Sequence, residues 1–247
     1  MVPYFTFPVF EVLGQTVSSF DIFVTLGLFF GFKAMLKYAQ EHNLSEKTAY
    51  DLVFVAVITG FMVSHVFHGL FYEKPFSWKN IFFRFNGISS VGGMLGGWIG
   101  AYVYLQYKKQ DFFQYLDGGM WAVVTGFFWG RVGCFSVHDH PGSLSTFFLA
   151  VDFPGGARHD LGFYEALFLF VLILIGRKWI MHKSRHLTFS WFTLVSYGVF
   201  RFLFDFLRIK NLPGSDARYV HLTPGQFVAI GFVILGLLLY RRKRLNG

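Results

Sequence analysis

Charged residues are scarce in this chain, since Asp, Glu, Lys and Arg together make up 15% of its 247 residues. Hydrophobic residues make up 54% and aromatic residues 21%. So few charges cannot cover the surface of a water-soluble domain of this length, which excludes a soluble globular protein. The composition instead predicts one polytopic membrane domain over residues 1–247.

Two further absences narrow the class. The chain has 1 cysteine, which excludes an internal disulfide framework. Its first 19 residues lack the basic start and the small-residue cleavage site of a secretory signal peptide. We therefore expect the first apolar segment to remain in the protein as a membrane helix.

The chain does contain long apolar stretches, each able to cross about 30 Å of hydrocarbon. Their predicted bounds are 20–38, 51–72, 88–107, 115–135, 162–178, 187–207 and 222–240. In lipid only helices and closed barrels satisfy their own backbone, and no alternating barrel pattern occurs in the sequence. The sequence thus predicts an all-α integral membrane protein with seven transmembrane helices.

Basic residues indicate the orientation of these helices. They cluster after the first, third, fifth and seventh stretches, in connections that lie on one side. These residues are Lys37, Lys47, Lys108, Lys109, Arg177, Lys178, Lys183, Arg185, Arg241, Arg242, Lys243 and Arg244. The positive-inside rule predicts that this side faces the cytoplasm, so the N-terminus would lie outside and the C-terminus inside. The outer connections 73–87 and 208–221 also carry basic residues, so the charge bias is not complete. The net charge of +8 is therefore a topology signal, and no nucleic-acid partner is expected.

Polar residues collect at the outer ends of the predicted helices. A charged side chain at membrane depth costs several kcal/mol unless it is paired or functional. The residues at these ends are His65, His68, Arg131, Arg201, Asp205 and Arg208, with Tyr164 and Glu165 opening the fifth stretch. The external connection at about 136–161 adds His138, Asp139, His140, His159 and Asp160. This concentration predicts one external active site that is open to the bilayer.

Arg201, Asp205 and Arg208 stand at helical spacing i, i+4 and i+7, which predicts that they share one face. Asp205 would neutralise one arginine and leave the other for a phosphate. The alternative is a structural ladder of ion pairs that ties helices together.

Several other candidates have structural alternatives. His65 and His68 are either site residues or hydrogen-bonded core residues, and His138 and His140 are either site residues or solvated loop residues. Asp160 would also serve as the N-cap of the fifth helix.

The third stretch carries Gly92, Gly93, Gly96, Gly97 and Gly100. Small residues at this spacing let helices approach closely, and the alternative is a backbone wall that admits a lipid head group.

A zinc site is a further alternative for the histidines. Cys134, His138, His140 and His159 offer ligand atoms that zinc accepts, but their spacing matches no stereotyped zinc pattern. We therefore expect neither a metal nor another cofactor.

Five motifs, in order along the chain, resemble one known family. They are Asn86-Gly87-Ile88-Ser89 with Gly92-Gly93, Gly130-Arg131-Val132-Gly133 with Phe135, Arg158-His159 with Phe163–Leu167, Tyr197-Gly198 with Arg201-Phe202-x-x-Asp205-Phe206-x-Arg208, and Leu222–Gln226. The family is that of the prolipoprotein diacylglyceryl transferases, seven-span enzymes of the bacterial inner membrane. The resemblance implies transfer of a diacylglyceryl group from phosphatidylglycerol to the lipobox cysteine of a prolipoprotein. Its partners would be phosphatidylglycerol, the prolipoprotein signal peptide and membrane lipids.

The resemblance also implies residue roles. Arg131 and Arg201, with Arg208 as a further candidate, would hold the lipid phosphate, and Glu165 would organise the arginines. Substrate binding would further involve Asp205, His65, His68, Tyr164, Gly92 and Gly93.

The chain departs from the family pattern where a proton acceptor is needed. The family's histidine before the paired glycines is Val91 here, the signature asparagines are Cys134 and Val137, and the signature glutamate is Asp139. We therefore expect the base among His138, His140 and His159, oriented by Asp139 or Asp160. The alternative is a divergent relative that acts on another acceptor, or a non-catalytic phospholipid-binding protein.

Overall fold

A computed structural model describes residues 1–12, 14–71, 87, 89–181, 187–209 and 218–246. Seven long helices lie in these ranges. They are α1 (Ser19–Glu41), α2 (Glu46–Phe71), α3 (Ser90–Tyr107), α4 (Phe112–Val137), α5 (Leu161–Met181), α6 (Thr188–Phe204) and α7 (Pro224–Asn246). Each overlaps one predicted stretch, so the helical fold class is confirmed. The largest differences in bounds are at the start of α2 and the end of α7, because charged turns extend these helices beyond their apolar part.

Four of these helices are long and apolar enough to cross a membrane: Ser19–Glu41, Glu46–Leu70, Phe112–Val137 and Pro224–Leu245. Among the other three, α6 has 17 residues, and α5 contains Glu165, Arg177 and Lys178. Across the described ranges, the structure therefore supports a membrane protein with these four candidate spans.

Some predictions fall where the structure gives no description. Lys183 and Arg185, used for the orientation, are outside the described residues, as are Asn86 and Ile88 of the glycine motif. The same holds for most of connections 73–87 and 208–221.

Short strands are an addition to the predicted all-helical fold. Strands β1 (Val2–Pro3), β4 (Pro141–Leu144), β5 (Val151–Asp152) and β6 (Arg158–Asp160) form a sheet in the order β1-β5-β6-β4. β1 pairs parallel with β5, and β6 pairs antiparallel with both β4 and β5. A separate hairpin joins β2 (Phe10–Val12) and β3 (Gln15–Val17). Because the strands have 2 to 4 residues, no alternating pattern can develop, and the connection at 136–161 was predicted only as a loop.

The C-terminal end of α6 differs from the prediction. The helix ends at Phe204, Asp205–Leu207 form a 3₁₀ turn, and Arg208 is extended and forms a β-bridge with Gly142. The regular α-helix therefore ends before Asp205, but Asp205 still pairs with both Arg201 and Arg208, as the predicted shared face requires.

The chain forms two compact units, one of Met1–Ala34 with Leu116–Gly247 and one of Met35–Tyr115. In the second unit α2 packs tightly on α3. A Cβ added at Gly92 would lie 2.6 Å from the Cβ of Phe67 and 2.9 Å from the Cα of Ser64. This contact supports tight helix packing as the role of Gly92.

Candidate functional site

A buried carboxylate, Glu165, lies at the centre of the predicted arginine site. It is 1% exposed near the N-terminal end of α5. Its Oε2 lies 3.1 Å from Nε of Arg131 on α4 and 3.0 Å from Nη1 of Arg201 on α6. The hydroxyl of Tyr197 donates to the other oxygen at 2.5 Å. Glu165 therefore joins three helices, and two guanidinium groups offset the cost of its burial.

A second buried carboxylate, Asp205, continues this arrangement. Its Oδ1 lies 3.4 Å from Nη2 of Arg201 and also accepts from Nε of Arg208, while its Oδ2 accepts from the hydroxyl of Thr223. Among the described residues, three arginines thus face these two carboxylates. The predicted ladder of ion pairs is present.

Arg131 also faces a second group of side chains. Its guanidinium carbon lies 4.7 Å from the centroid of the Phe127 ring, an attractive cation–π geometry. Its Nη1 lies 3.7 Å from Sγ of Cys134 and 3.4 Å from Nε2 of His140. Arg131 therefore connects Glu165 with the residues that follow α4.

His140 is oriented by partners on both ring nitrogens. Nδ1 pairs with the Asp139 carboxylate, and Nε2 faces the Arg131 guanidinium. A carboxylate only accepts and a guanidinium only donates, so a neutral imidazole here carries its proton on Nδ1. The lone pair of Nε2 is consequently directed at Arg131. The side chains of His140 and Asp139 are 25% and 40% exposed, which gives solvent access.

His138 occupies a different environment, although it is two residues away. Its Nδ1 lies 2.8 Å from Oδ2 of Asp160, and both side chains are buried. The ring stacks on Tyr4 at 4.7 Å and also contacts the rings of Phe5 and Phe153. The interpretation of His138 as a solvated loop residue is therefore wrong.

Asp160 has a structural role that the sequence predicts. Its Oδ1 accepts from the backbone N–H of Phe163 at 3.0 Å, which confirms Asp160 as the N-cap of α5. Burial raises the pKa of Asp160 because it disfavours the ionised form, and the hydrogen bond from His138 opposes this effect. The pair thus ties α5 to the end of α4.

His159 lies on β6 and contacts Tyr164, whose hydroxyl is 2.9 Å from Nδ1. Burial lowers the pKa of His159 below its ordinary 6.5, because the charged imidazolium is desolvated. His159 therefore remains neutral to a lower pH than an exposed histidine.

This pKa shift predicts a pH effect on stability. The folded state binds a proton at His159 less readily than the unfolded state does. Neutral His159 therefore makes its full contribution to folding stability above pH 6.5, and this contribution is lost as the pH falls below that value. His159→Gln is expected to reduce the fall in Tm between about pH 7.5 and pH 5. Thermal unfolding in detergent at the two pH values measures this. Equal pH dependence of wild type and His159→Gln would contradict the prediction.

Four predicted substrate-binding residues lie in the second unit and are described within it. Nδ1 of His65 is 3.4 Å from the carbonyl oxygen of Gly87. A Cβ added at Gly87 would lie 2.6 Å from the ring of His68. These contacts, with the packing of Gly92, favour structural roles in this unit. Substrate binding by His65, His68, Gly92 and Gly93 stays a prediction.

The comparison with known proteins decides the family. A family model described as prolipoprotein diacylglyceryl transferase matches residues 8–242. The chain belongs to this family. The predicted resemblance to the prolipoprotein diacylglyceryl transferases is therefore confirmed.

Three bacterial relatives align with most of the chain. Proteins named phosphatidylglycerol–prolipoprotein diacylglyceryl transferase from Finegoldia magna and Idiomarina loihiensis are each 28% identical to the chain. The alignment with the Finegoldia magna protein covers 93% of the chain and 92% of that protein. The alignment with the Idiomarina loihiensis protein covers 98% of the chain and 96% of that protein. The protein of the same name from Methylococcus capsulatus is 30% identical, over 76% of the chain and 75% of its own length.

The charged cluster has two further partners, Tyr197 and Thr223, whose contacts were not predicted from the sequence. Tyr197 stands four residues before Arg201 on α6, so the helical period placed both side chains on one face. Thr223 precedes α7, where its hydroxyl accepts from the N–H of Gln226 while Gln226 Oε1 accepts from the N–H of Thr223. This reciprocal capping box is readable from Thr223-Pro224-Gly225-Gln226, but the contact with Asp205 is not.

Proposed function

We propose that this chain transfers the diacylglyceryl group of phosphatidylglycerol to the lipobox cysteine of prolipoproteins. The names of its relatives supply the substrates. One observation carries the proposal: three arginines surround two buried carboxylates beside a histidine whose Nε2 faces Arg131. A cation for the phosphate and a base for the thiol are what this reaction needs.

The arginines suit the phosphate of the donor lipid. Arg131 and Arg201 face Glu165, and Arg201 and Arg208 face Asp205. A phosphodiester carries one negative charge, and the leaving phosphate monoester develops a second. Guanidinium N–H groups held in place by buried carboxylates stabilise that developing charge without reorganisation.

His140 suits the role of base better than the other two candidates. His138 is enclosed by aromatic rings and paired with Asp160, and Nδ1 of His159 contacts Tyr164. His140 lies next to Arg131 and is partly exposed. In the proposed mechanism the lipid phosphate replaces Nε2 of His140 as the acceptor for Nη1 of Arg131. Nε2 of His140 then removes the thiol proton, and Asp139 holds the ring and stabilises the imidazolium.

In the proposed chemical step, one bond to the glycerol carbon forms and one breaks. The thiolate sulfur attacks the glycerol carbon that carries the phosphate, because thiolate is the nucleophilic form of cysteine. The new carbon–sulfur bond is a thioether. The carbon–oxygen bond breaks with its electron pair on the phosphate oxygen, so glycerol 1-phosphate leaves and the thiol proton stays on His140.

The proposal includes a location in the cell. Seven spans in the bacterial inner membrane, with the N-terminus outside and the C-terminus in the cytoplasm, would place the ends of α4 and α6 at the outer leaflet. The clustering of basic residues supports this orientation. Phosphatidylglycerol and a prolipoprotein signal peptide would then approach through the bilayer, and Tyr164 at the start of α5 would contact them.

Replacing the proposed base gives a direct prediction. His140→Gln is expected to lower kcat by at least about 10²-fold, the usual contribution of general base catalysis. His138→Gln and His159→Gln are expected to retain kcat within about threefold when folded, because neither ring is directed at Arg131. Initial rates of peptide modification measure the difference. An unchanged rate in His140→Gln would exclude it as the base.

One observation favours a second candidate, a relative that binds phospholipid and uses another acceptor or none. The family's histidine before the paired glycines is replaced by Val91. Release of glycerol 1-phosphate from phosphatidylglycerol vesicles separates the candidates. Release that needs a lipobox peptide, and is lost when its cysteine is serine, supports the transferase. Vesicle binding without release supports the non-catalytic protein, and release without peptide supports another acceptor.

A further inference from the structure

The loop between β4 and β5 exposes large apolar side chains at its tip, residues 144–148. Leu144 is 63% exposed, Phe147 44% and Phe148 68%. The ring centroids of Phe147 and Phe148 lie 4.6 Å apart, so the two rings form one surface. Residues 141–151 include no Asp, Glu, Lys or Arg. A group of exposed apolar side chains in such an uncharged run marks a contact with lipid or with another protein.

The loop tip lies level with the end of a candidate membrane span. Phe135 in the last turn of α4 stacks on Phe163 in the first turn of α5, with ring centroids 4.7 Å apart. The ring of the next residue, Tyr164, lies 6.3 Å from that of Phe147. Because α4 is one of the four candidate spans, Phe147 lies beside the end of a membrane helix, where hydrocarbon gives way to lipid head groups.

We propose that the loop tip inserts into the bilayer leaflet at this end of α4, so that the ring of Phe148 contacts acyl chains. An exposed element binds a membrane surface through the apolar area that it buries between head groups and acyl chains. The tip also satisfies backbone donors internally, as insertion requires. The N–H of Ser145 donates to the carbonyl oxygen of Ala157, and the N–H of Phe147 donates to the Ser145 hydroxyl.

Lipid fits the loop tip better than a protein partner does, because the neighbouring face of α5 is also apolar and exposed. Tyr164, Leu167, Val171 and Leu174 stand at i, i+3, i+7 and i+10, which is one helical face. Phe147 lies beside the ring of Tyr164 at the start of this face, and the other three side chains are exposed. The tip therefore continues a strip of apolar side chains that runs along the helix, whereas a protein interface usually has a polar rim.

Insertion of the loop tip also affects how the donor lipid reaches the site, and this consequence rests on the proposed function. Tyr164, which contacts Phe147, directly precedes Glu165, the carboxylate that pairs with Arg131 and Arg201. A phospholipid whose acyl chains pack on the tip would therefore have its phosphate close to these arginines. Insertion itself does not depend on the reaction, so the two claims can be tested separately.

The test measures the depth of the loop tip in vesicles of phosphatidylglycerol and phosphatidylethanolamine that contain the full-length protein. A spin label is attached to Phe148→Cys and, as a control, to Asp152→Cys, which alters an exposed charged residue on β5. Wild type serves as the labelling blank, since its single cysteine, Cys134, is buried. The ratio of collisions with oxygen to collisions with a water-soluble nickel chelate is expected to be at least about fivefold higher for Phe148→Cys, because oxygen concentrates among acyl chains and the chelate stays in water.

Two results would overturn the insertion. Equal ratios in Phe148→Cys and Asp152→Cys would show that the tip lies in water. Low accessibility of Phe148→Cys to both reagents would show that a protein, such as a second copy of the chain, covers it. A high ratio confined to Phe148→Cys supports the insertion.

Phe148→Ser tests the consequence for the donor lipid. We expect it to raise KM for phosphatidylglycerol in vesicles by at least about fivefold and to keep kcat within about twofold, because the arginine cluster is unchanged. Thr146→Ala, which alters an exposed polar residue of the same tip, is expected to keep the wild-type KM. An unchanged KM in Phe148→Ser would contradict the role in lipid entry. Absence of transfer even in wild type would contradict the proposed function, and the spin-label measurement would still decide the insertion.

Discussion

Glu165→Gln is expected to destabilise the protein by about 3–5 kcal/mol and to lower transferase activity by at least about 10²-fold. The substitution keeps the shape of the side chain but leaves Arg131 and Arg201 beside a neutral amide. Breaking a buried ion pair costs this much because the remaining charge is desolvated without compensation. Activity is expected to fall because Glu165 holds the two guanidinium groups that the proposed mechanism assigns to the phosphate. Thermal unfolding in detergent and initial rates measure the two effects.

Glu46→Gln provides a matched control for this prediction. Glu46 lies in the first turn of α2 and is exposed, so removal of its charge is expected to cost less than about 1 kcal/mol. If Glu165→Gln unfolds at the same temperature as Glu46→Gln and keeps its activity, then Glu165 does not organise the site.

Arg131→Lys is expected to lower kcat/KM by about 10²–10³-fold while the protein remains folded. Lysine keeps the charge, and Arg201 still pairs with Glu165 at 3.0 Å. However, an ammonium group cannot reach Glu165 through one nitrogen and face His140 with another, as Nε and Nη1 of Arg131 do. Steady-state kinetics with phosphatidylglycerol and a lipobox peptide measure this loss.

Arg158→Lys controls for the general effect of exchanging arginine for lysine. Arg158 lies on β6, where its Nη1 donates to the carbonyl oxygen of Gly142 at 3.3 Å. We expect its kcat/KM to stay within about threefold of the wild type, because a lysine ammonium can still donate to this backbone carbonyl. Equal losses in Arg131→Lys and Arg158→Lys would contradict a specific phosphate role for Arg131.

The helices could be predicted from the sequence because membrane depth requires long apolar runs, and each run contains a helix. The strands could not be predicted. β1 and β5 have two residues each, and their pairing depends on contacts between residue 2 and residue 151. The end of α6 was also missed, since helical spacing continues through Asp205 although the backbone tightens into a 3₁₀ turn there.

The sequence predicts which residues belong to the candidate site, but only the structure gives the contacts between them. Arg131 and Arg201 were recognisable because an unpaired guanidinium at membrane depth is costly. That one carboxylate, Glu165, serves both arginines depends on the packing of three helices. His138 and His140 have similar sequence contexts, yet the turn at His138 buries one ring and directs the other at Arg131. No periodicity in the sequence carries that distinction.

The most direct test of the proposed function is the mass of a lipobox peptide after incubation with the purified protein and phosphatidylglycerol. The proposal predicts a mass gain of one diacylglyceryl group on the peptide's cysteine, with release of one glycerol 1-phosphate per peptide. An unmodified peptide and intact phosphatidylglycerol, under conditions in which a known family member modifies the same peptide, would contradict it.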